Sequence, residues 1–227
     1  MKFKLAGPGK VVGCDVAGII VDAKDKSLIG KRVRRLYQVG LIFQVAAVVH
    51  GGFEEGNGAY EEYVKAYKDL SIPLPDDMSF EAGATLPLAT ATAALVIFQK
   101  LEFPLPGSGT KDVPFLVCGG ASSVGMYAIQ FASLAGATVI ATASKDNHEL
   151  LKSLGAKYTF DYKDADVIEQ IKRVSNGGVE FGIDCVSEAK TVAQASKAFV
   201  ANGKIGLILP VDKSKSGDTL DHQNVLM

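Results

Sequence analysis

The chain has 227 residues, 48% of them hydrophobic, and a formal net charge of −1, which is the composition of an ordinary globular protein. Its 24 basic and 25 acidic residues form no block of like charge, which argues against nucleic acid or an anionic membrane as a partner. Three widely separated cysteines, and eight initial residues without the apolar core of a signal peptide, lead us to expect a cytoplasmic protein.

The first hundred residues predict a mostly β unit followed by a helix. Apolar residues mixed with glycines over residues 11–23 indicate bent β-structure, and residues 58–66 predict another strand. Asp77 or Ser79 is placed to cap a helix of small residues that extends to about Gln99. This helix is apolar, but it contains a proline and charges flank it closely, so we expect a buried helix rather than a membrane span.

From residue 113 onward, strands alternate with helices of about ten residues. The predicted strands cover residues 115–118, 138–143, 158–160, 179–186 and 204–209. The predicted helices cover residues 123–134, 148–154, 164–174 and 189–200. Such alternation predicts parallel strands joined by crossovers, and therefore an α/β fold with a Rossmann-type, doubly wound parallel sheet.

The turn between the first of these strands and the first helix contains two glycines at its start and one at its end. It reads Gly119-Gly120-Ala121-Ser122-Ser123-Val124-Gly125. Gly119 permits a tight turn, Gly125 allows close packing of the helix, and the N–H groups of the intervening residues favour a pyrophosphate. Ser122 stands where such turns usually carry a glycine, and its hydroxyl can bond a phosphate oxygen. We predict a dinucleotide site here, with a structural turn that binds no ligand as the alternative.

The end of the second strand indicates which dinucleotide is bound. An acidic residue at this position would hold the ribose hydroxyls of NAD, but the chain reads Ala143-Ser144-Lys145. Ser144 can donate a hydrogen bond and Lys145 supplies positive charge, and both suit a 2′-phosphate. Asp146 lies one residue beyond Lys145, and we do not expect it to hold a ribose. The sequence therefore favours NADP.

Several further motifs occur in a fixed order along the chain. They are Gly13-Cys14-Asp15-Val16-Ala17-Gly18, His50-Gly51-Gly52, Gly58-Ala59-Tyr60, Ala84-Thr85-Leu86-Pro87, Ser153-Leu154-Gly155-Ala156, Asp161-Tyr162 and Asp184-Cys185-Val186. Together with the glycine turn they resemble the zinc-independent branch of the medium-chain dehydrogenase/reductase superfamily, which includes quinone reductases, fungal trans-enoyl reductases and alcohol dehydrogenase-like proteins. The resemblance implies a GroES-like catalytic domain over residues 1–78, a linking helix and loop over 79–112, and an NADP-binding Rossmann domain over 113–227.

The resemblance also implies roles for individual residues. The residues expected to bind the cofactor are Thr92, Gly120, Ala121, Ser122, Ser123, Val124, Ser144, Lys145, Asn147 and Tyr162. Thr92 stands where relatives touch the nicotinamide, with an ordinary interior helix threonine as the alternative. Ser144, Lys145 and Asn147 are expected at the 2′-phosphate with Tyr162 beside it, although many relatives carry a basic residue in place of Asn147.

A zinc ion is not expected. In zinc-dependent relatives a histidine stands where this chain has Cys14, and a second ligand stands where it has Leu88, which cannot coordinate a metal. Three cysteines cannot form a four-cysteine structural site, and the three histidines show no metal-binding spacing. No metal-binding residue is therefore assigned.

The chain departs from the family pattern in three places. Most of the segment that precedes Gly13 in relatives is missing, so the GroES-like domain is expected to be incomplete. The chain stops soon after the fifth predicted strand, so the last strand of the sheet is expected to be absent. Residues 34–45 are interpreted as an insertion, because residue 33 would join residue 46 directly in relatives.

The function implied by the resemblance is hydride transfer from NADPH to an activated double bond, of the enoyl or enone type, or to a quinone, without zinc. The substrate is expected to be a small molecule. No catalytic residue is assigned, because the proton donor of many relatives lies in the missing segment. The alternative is a non-catalytic NADP-binding or scaffold protein derived from this family. Relatives often form homodimers through the edge strand of the sheet, which leaves a homodimer open for this chain.

Overall fold

The structure is a computed structural model that describes residues 8–24, 44–52, 57–109, 112–218 and 220–224. Its contacts divide the chain into two units, Met1–Ala89 and Thr90–Met227. The family domain boundaries expected at residues 78 and 113 stay predictions, because these units group contacts rather than family domains.

The unit Met1–Ala89 contains a three-stranded antiparallel sheet. The strands are β1 (Asp15–Ile19), β2 (Gln44–Val48) and β3 (Ser71–Pro73), in the order β1-β2-β3. Ala46 and Ala47 in the central strand are fully buried. The described part of this unit therefore has the small antiparallel sheet that the predicted β domain requires.

Two details of this unit differ from the sequence-based expectations. The strand predicted over residues 58–66 is wrong: among the described residues this segment makes two backbone bonds, from Ala59 N to Gly13 O and from Tyr60 N to Val12 O, and forms no strand. Its tyrosines are apolar enough to predict a strand, but Tyr60 is 79% exposed. Of the predicted insertion, residues 34–43 lie outside the described residues, and residues 44–45 begin strand β2.

The single helix predicted up to residue 99 is divided into three segments. They are α1 (Phe80–Gly83), α2 (Pro87–Ala94) and a π-helical stretch (Leu95–Lys100). Ser79 is the cap of α1, since its side chain accepts from Ala82 N at 3.2 Å. The break precedes Pro87, because proline has no N–H and disfavours helical backbone at the residue before it.

By length and composition alone, Phe80–Lys100 could cross a membrane, a test that the core helix of a soluble protein also passes. Three of its residues, Ala93, Val96 and Ile97, are completely buried. They belong to the hydrophobic core of the unit Thr90–Met227. The choice between a buried helix and a membrane span stays a prediction.

The unit Thr90–Met227 contains a six-stranded parallel sheet. Its strands are β4 (Pro114–Cys118), β5 (Thr138–Thr142), β6 (Tyr158–Phe160), β7 (Val179–Asp184), β8 (Phe199–Leu207) and β9 (Asp221–Asn224). Its helices are α3 (Ser123–Leu134), α4 (His148–Ser153), α5 (Val167–Val174), α6 (Ala189–Ala195) and α7 (Lys213–Ser216). The strand order β6-β5-β4-β7-β8-β9 is that of a doubly wound Rossmann sheet, so the predicted fold is confirmed.

The prediction that the sheet lacks its last strand is wrong. Strand β9 pairs in parallel with β8, from Lys204 opposite Asp221 to Leu207 opposite Asn224. The four residues of β9 are all polar, so the search for apolar runs missed this edge strand. The chain therefore contains all six strands of a Rossmann sheet.

Three predicted boundaries also shift. Helix α5 begins at Val167 rather than residue 164, because Asp161 and Asp164 form turns in which Asp164 N donates to Asp161 O and Val167 N donates to Asp164 O. Helix α6 ends at Ala195 and a short 3-10 turn follows it. Strand β8 accordingly begins at Phe199, five residues earlier than predicted.

The sheet buries both of its faces. Phe115 and Val117 pack with α3 on one face, whereas Leu116 packs with α5 and α6 on the other. Successive residues of a strand point to opposite faces, which explains why the whole of β4 is apolar. Helix α3, which begins at the glycine turn, therefore covers one face, and helices α5 and α6 cover the other.

Candidate functional site

The glycine turn is held together by Ser122, the N-cap residue of α3. Its hydroxyl accepts from Gly125 N at 3.1 Å and donates to Gly119 O at 2.8 Å, and its own N–H donates to Gly119 O at 3.0 Å. We expected this hydroxyl to bond a phosphate directly. In the structure its one O–H donor, which a phosphate oxygen would need, bonds within the turn, so the hydroxyl fixes the shape of the turn.

Two glycines make this shape sterically accessible. Gly119 has φ +70°, a left-handed conformation that glycine adopts without strain. A Cβ at Gly125 would lie 2.4 Å from Gly119 O and 2.9 Å from the carbonyl carbon of Gly120, which no packed structure tolerates. The N–H groups of Ser123 and Val124 belong to the first turn of α3, where no intrahelical acceptor exists, and they suit an anion.

A cavity of about 340 Å³ lies beside this turn, at the carboxyl ends of β4 and β5. Its wall is mostly apolar, with a few polar groups, as in sites for small organic ligands. It is lined by Leu116, Cys118, Gly119, Ala121, Ser122, Thr142, Ala143, Ser144, Tyr162, Val167, Ile168, Ile171, Val186, Thr191, Gln194 and Ala195. The structure thus brings together four of the predicted site residues, namely Ala121, Ser122, Ser144 and Tyr162.

The other predicted site residues do not line this cavity. Gly120 is buried against the core, Ser123 is exposed at the start of α3, and Val124 packs against the core. Asn147 Nδ2 donates to Ser144 Oγ at 3.0 Å, so Asn147 contacts one of the residues that are predicted to bind the 2′-phosphate. Thr92 is 4% exposed within α2. Their roles toward a cofactor stay predictions.

The loops that follow β5 and β6 bring oppositely charged groups together. Lys145 Nζ lies 3.9 Å from Asp164 Oδ1, and the lysine side chain is 72% exposed. Lys163 Nζ lies 5.5 Å from the centre of the Tyr162 ring, within the range of a cation–π contact. Asp164 was not predicted, because its proximity to Lys145 depends on the pairing of β5 with β6.

A second group that the sequence analysis left without a role is Asp184, at the end of β7. Its side chain is completely buried and accepts from Val186 N at 2.8 Å, Ser187 N at 3.1 Å and Thr191 Oγ1 at 2.6 Å. Ser187 has φ +56°, and its hydroxyl donates to Asp184 O and accepts from Ile208 N. An acidic residue that ends an apolar strand is the sequence signal that could have identified this network, which holds Val186 and Thr191 at the cavity wall.

Two cysteines lie close to the cavity floor. Cys118 lines the cavity, and Cys185 N donates to Cys118 O at 3.0 Å. Burial raises the pKa of the Cys118 thiol well above its usual value, and the neighbouring Asp184 carboxylate raises it further. The same two causes raise the pKa of Cys185. Both thiols are therefore neutral in the folded protein.

We expect these thiols to make stability fall in alkaline solution. In the unfolded chain a thiol ionises near pH 8.5, whereas the folded protein keeps it protonated, so their contribution is fully present below about pH 8. Above about pH 8.5 the free energy of unfolding should decrease by about 1.4 kcal/mol per pH unit for each thiol. Urea unfolding from pH 7 to 9.5 measures this slope, and Cys185→Ala should reduce it. An equal slope in both proteins would contradict the assignment.

In the other unit, the motif that begins at Gly13 contributes a helix cap. Asp15 Oδ1 accepts from Leu88 N at 2.7 Å, in the first turn of α2. Burial raises the pKa of Asp15, while the bond from Leu88 opposes this. Within the described ranges, no three or more His, Cys, Asp or Glu side chains are grouped as a metal site. Leu88, one of the two positions compared with zinc ligands, therefore bonds through its backbone N–H to Asp15, the residue that follows Cys14.

Comparison with known proteins adds independent evidence. The family model described as zinc-binding dehydrogenase matches residues 123–216. The trans-enoyl reductase ACTTS2 of Alternaria alternata is 34% identical over 217 residues, which cover 94% of this chain and 61% of that protein. The quinone oxidoreductase from Coxiella burnetii has a TM-score of 0.71 and 27% identity, over 95% of this chain and 62% of that one. The chain spans about three fifths of these relatives.

A mycobacterial protein whose structure was solved as a complex with NADPH has a TM-score of 0.68 and 23% identity, over 96% of this chain and 65% of that one, and shows the same fold. The sequence relatives, the fold and the strand order agree with the resemblance found in the motifs. The chain is thus similar to enoyl reductases, quinone oxidoreductases and zinc-binding dehydrogenases, in agreement with the resemblance of its motifs to the medium-chain dehydrogenase/reductase superfamily.

Proposed function

We propose that the chain binds NADPH and acts as a reductase that transfers hydride to an activated carbon–carbon double bond, of the enoyl or enone type, or to a quinone. The observation that carries this proposal is the cavity that adjoins the glycine turn and has Ser144 and Tyr162 on its wall. The names of the relatives, which are trans-enoyl reductases and quinone oxidoreductases, support the reaction class. The neighbour solved with NADPH supports the cofactor.

The residues present fit a dinucleotide phosphate. Gly119 and Gly125 allow the tight conformation of the turn, because a Cβ at Gly125 would overlap Gly119 O, and the first turn of α3 supplies N–H groups and a positive dipole end to a pyrophosphate. The apolar cavity wall suits an adenine ring. Ser144 at the end of β5 supplies a hydroxyl where an NAD site would have a carboxylate.

The chemistry of the reaction would come from the nicotinamide, which supplies a hydride when it is bound. The protein's part is to bind and orient the cofactor and to exclude water. Buried core residues on both sides of β4 keep the turn and the strand ends fixed relative to each other. Such fixed placement is one of the contributions that a protein makes to hydride transfer.

We further propose that the reaction proceeds without zinc. Leu88 stands where zinc-dependent relatives have a ligand, and its side chain has no donor atom. Dialysis of the purified protein against a chelator should leave NADPH binding and turnover unchanged.

The proposal includes a cytoplasmic location, a small-molecule substrate and a homodimer, with no nucleic acid or membrane partner. The mixed surface charge supports the absence of nucleic acid. Strand β9 lies at one edge of the sheet, which supports a homodimer formed by edge pairing. Light scattering coupled to size-exclusion chromatography measures the mass and tests the dimer.

The reaction is tested by following NADPH oxidation at 340 nm with a panel of enones, enoyl thioesters and quinones. Turnover with at least one acceptor, after NADPH binding has been shown by fluorescence, is the expected result. Tight NADPH binding without turnover of any acceptor would favour the alternative of a non-catalytic NADP-binding or scaffold protein. The absence of NADPH binding would contradict the proposal altogether.

A further inference from the structure

Two loops next to the predicted 2′-phosphate residues Ser144 and Tyr162 carry four charged residues. The loop after β5 carries Lys145 and Asp146, and the loop after β6 carries Lys163 and Asp164. The formal charges of these four residues cancel. A patch that is neutral as a whole is an unusual receptor for a phosphate, which carries close to two negative charges at neutral pH.

Asp164 is the residue that neutralises Lys145. Its Oδ1 atom lies 3.9 Å from Lys145 Nζ, and its side chain is 35% exposed, half the exposure of the lysine. Any phosphate that Lys145 binds would therefore share the ammonium with a carboxylate and would be repelled by that carboxylate. NADH lacks the 2′-phosphate, so its affinity would not depend on this repulsion.

Lys163 has the opposite effect on a bound phosphate, because its positive charge attracts the phosphate. Its ammonium lies 5.5 Å from the centre of the Tyr162 ring, and Tyr162 lines the cavity. Gln194 Nε2 donates to Tyr162 O at 3.1 Å, which attaches the backbone of this loop to α6. The Tyr162 ring thus places a second cation near the cavity, on the same loop as Asp164.

We propose that Asp164 is a specificity-determining residue that limits the preference of this site for NADPH over NADH, and that Lys163 is its positively charged counterpart. The proposal rests on the proposed NADPH-binding function and adds the residues that set its selectivity. It concerns the balance of charge around the 2′-phosphate rather than the residues that bond it.

The variant Asp164→Asn tests this without disturbing the fold. The two turn bonds of residue 164 use its backbone N and O atoms, so asparagine retains them. A salt bridge with one highly exposed partner contributes little stability, so its loss is tolerated. Removing one carboxylate near a dianion should tighten NADPH binding about threefold to fivefold at low salt. NADH binding should change by less than about twofold, since no dianion is present.

Glu102→Gln is the matched control. Glu102 Oε2 lies 3.7 Å from Lys204 Nζ, so this change also removes one carboxylate from an exposed ion pair with lysine, and neither residue lines the cavity. It should leave both dissociation constants within about twofold of the unmodified protein, because the charge is distant from the site and screened. Lys163→Gln should weaken NADPH binding about threefold and leave NADH binding unchanged.

Isothermal titration calorimetry with NADPH and with NADH is carried out on the unmodified protein and on the three variants. It gives one ratio of NADPH to NADH affinity for each of the four proteins. A ratio of NADPH to NADH affinity that rises in Asp164→Asn and falls in Lys163→Gln supports the proposal. A normal NADPH preference that neither variant alters overturns the proposal but leaves the proposed function standing. If the unmodified protein binds neither cofactor, or prefers NADH, the proposed function fails and this inference fails with it.

Discussion

Replacing Gly125 with alanine is expected to lower the free energy of unfolding by about 2–3 kcal/mol and to weaken NADPH binding roughly tenfold or more. The added methyl group would lie 2.4 Å from Gly119 O and 2.9 Å from the carbonyl carbon of Gly120. Both neighbours are backbone atoms, so no rotation of a side chain relieves the overlap. The turn must open or α3 must move, and either change displaces the N–H groups that would hold the pyrophosphate.

Gly18→Ala is the matched control for this prediction. Gly18 lies in β1, where a Cβ would have no neighbour within 4 Å, so alanine should change the unfolding free energy by less than about 0.5 kcal/mol. Urea unfolding measures the stability of both variants, and NADPH fluorescence measures binding. Equal stability and equal binding in Gly125→Ala and Gly18→Ala would show that the turn does not have the conformation described.

Asp184→Ala is expected to lower the free energy of unfolding by about 3 kcal/mol. The substitution leaves Val186 N, Ser187 N and Thr191 Oγ1 without the carboxylate that accepts from all three. A buried donor that loses its acceptor costs about 1–3 kcal/mol, and water that reaches the site from the adjacent cavity offsets part of this loss. The loop from 185 to 188 should also become mobile, and NADPH affinity should fall.

Thr191→Val provides a graded comparison, because it removes one of the three donors, together with the acceptor that Thr191 Oγ1 offers to Glu188 N, and leaves the carboxylate bonded to both backbone N–H groups. Its expected cost is about 1 kcal/mol. Urea unfolding of the two variants should therefore give losses in a ratio near three to one. If Asp184→Ala is no less stable than Thr191→Val, the carboxylate does not organise the loop.

The Rossmann sheet could be predicted because its central strands are continuous apolar runs between helices. Residues 115–118 and 158–160 were located almost to the residue, and α3 has the predicted bounds. Strand β9 could not be found in this way, since it lies at the sheet edge and contains only polar residues. Its stability depends on pairing with β8, which no local pattern reveals.

The candidate site was predictable where its residues are adjacent in sequence. The glycine turn and the end of β5 are both local motifs, and three of their predicted site residues, Ala121, Ser122 and Ser144, line one cavity. The contacts of Asp164 with Lys145 and of Asp184 with Thr191 join residues 19 and 7 positions apart, and only the fold shows them. The role of Ser122 also required the structure, because the sequence gives no information on where its hydroxyl points.

The unit Met1–Ala89 was harder to predict, for a physical reason. Its strands are short and include small residues such as the alanines of β2, so periodicity is weak. The residues around Tyr60 have the composition of a strand but form two backbone bonds with the part of the chain that the structure describes. The helix that follows is interrupted at Pro87, which local helix propensity alone does not place exactly.

The central claim is that this chain has a nucleotide site that recognises a 2′-phosphate. Isothermal titration of the purified chain with NADPH and, separately, with NADH tests it most directly. The account predicts one NADPH per chain, bound roughly tenfold or more tightly than NADH, with a difference that shrinks as salt is added. Equal affinity for the two cofactors, tighter binding of NADH, or no binding of either would contradict it.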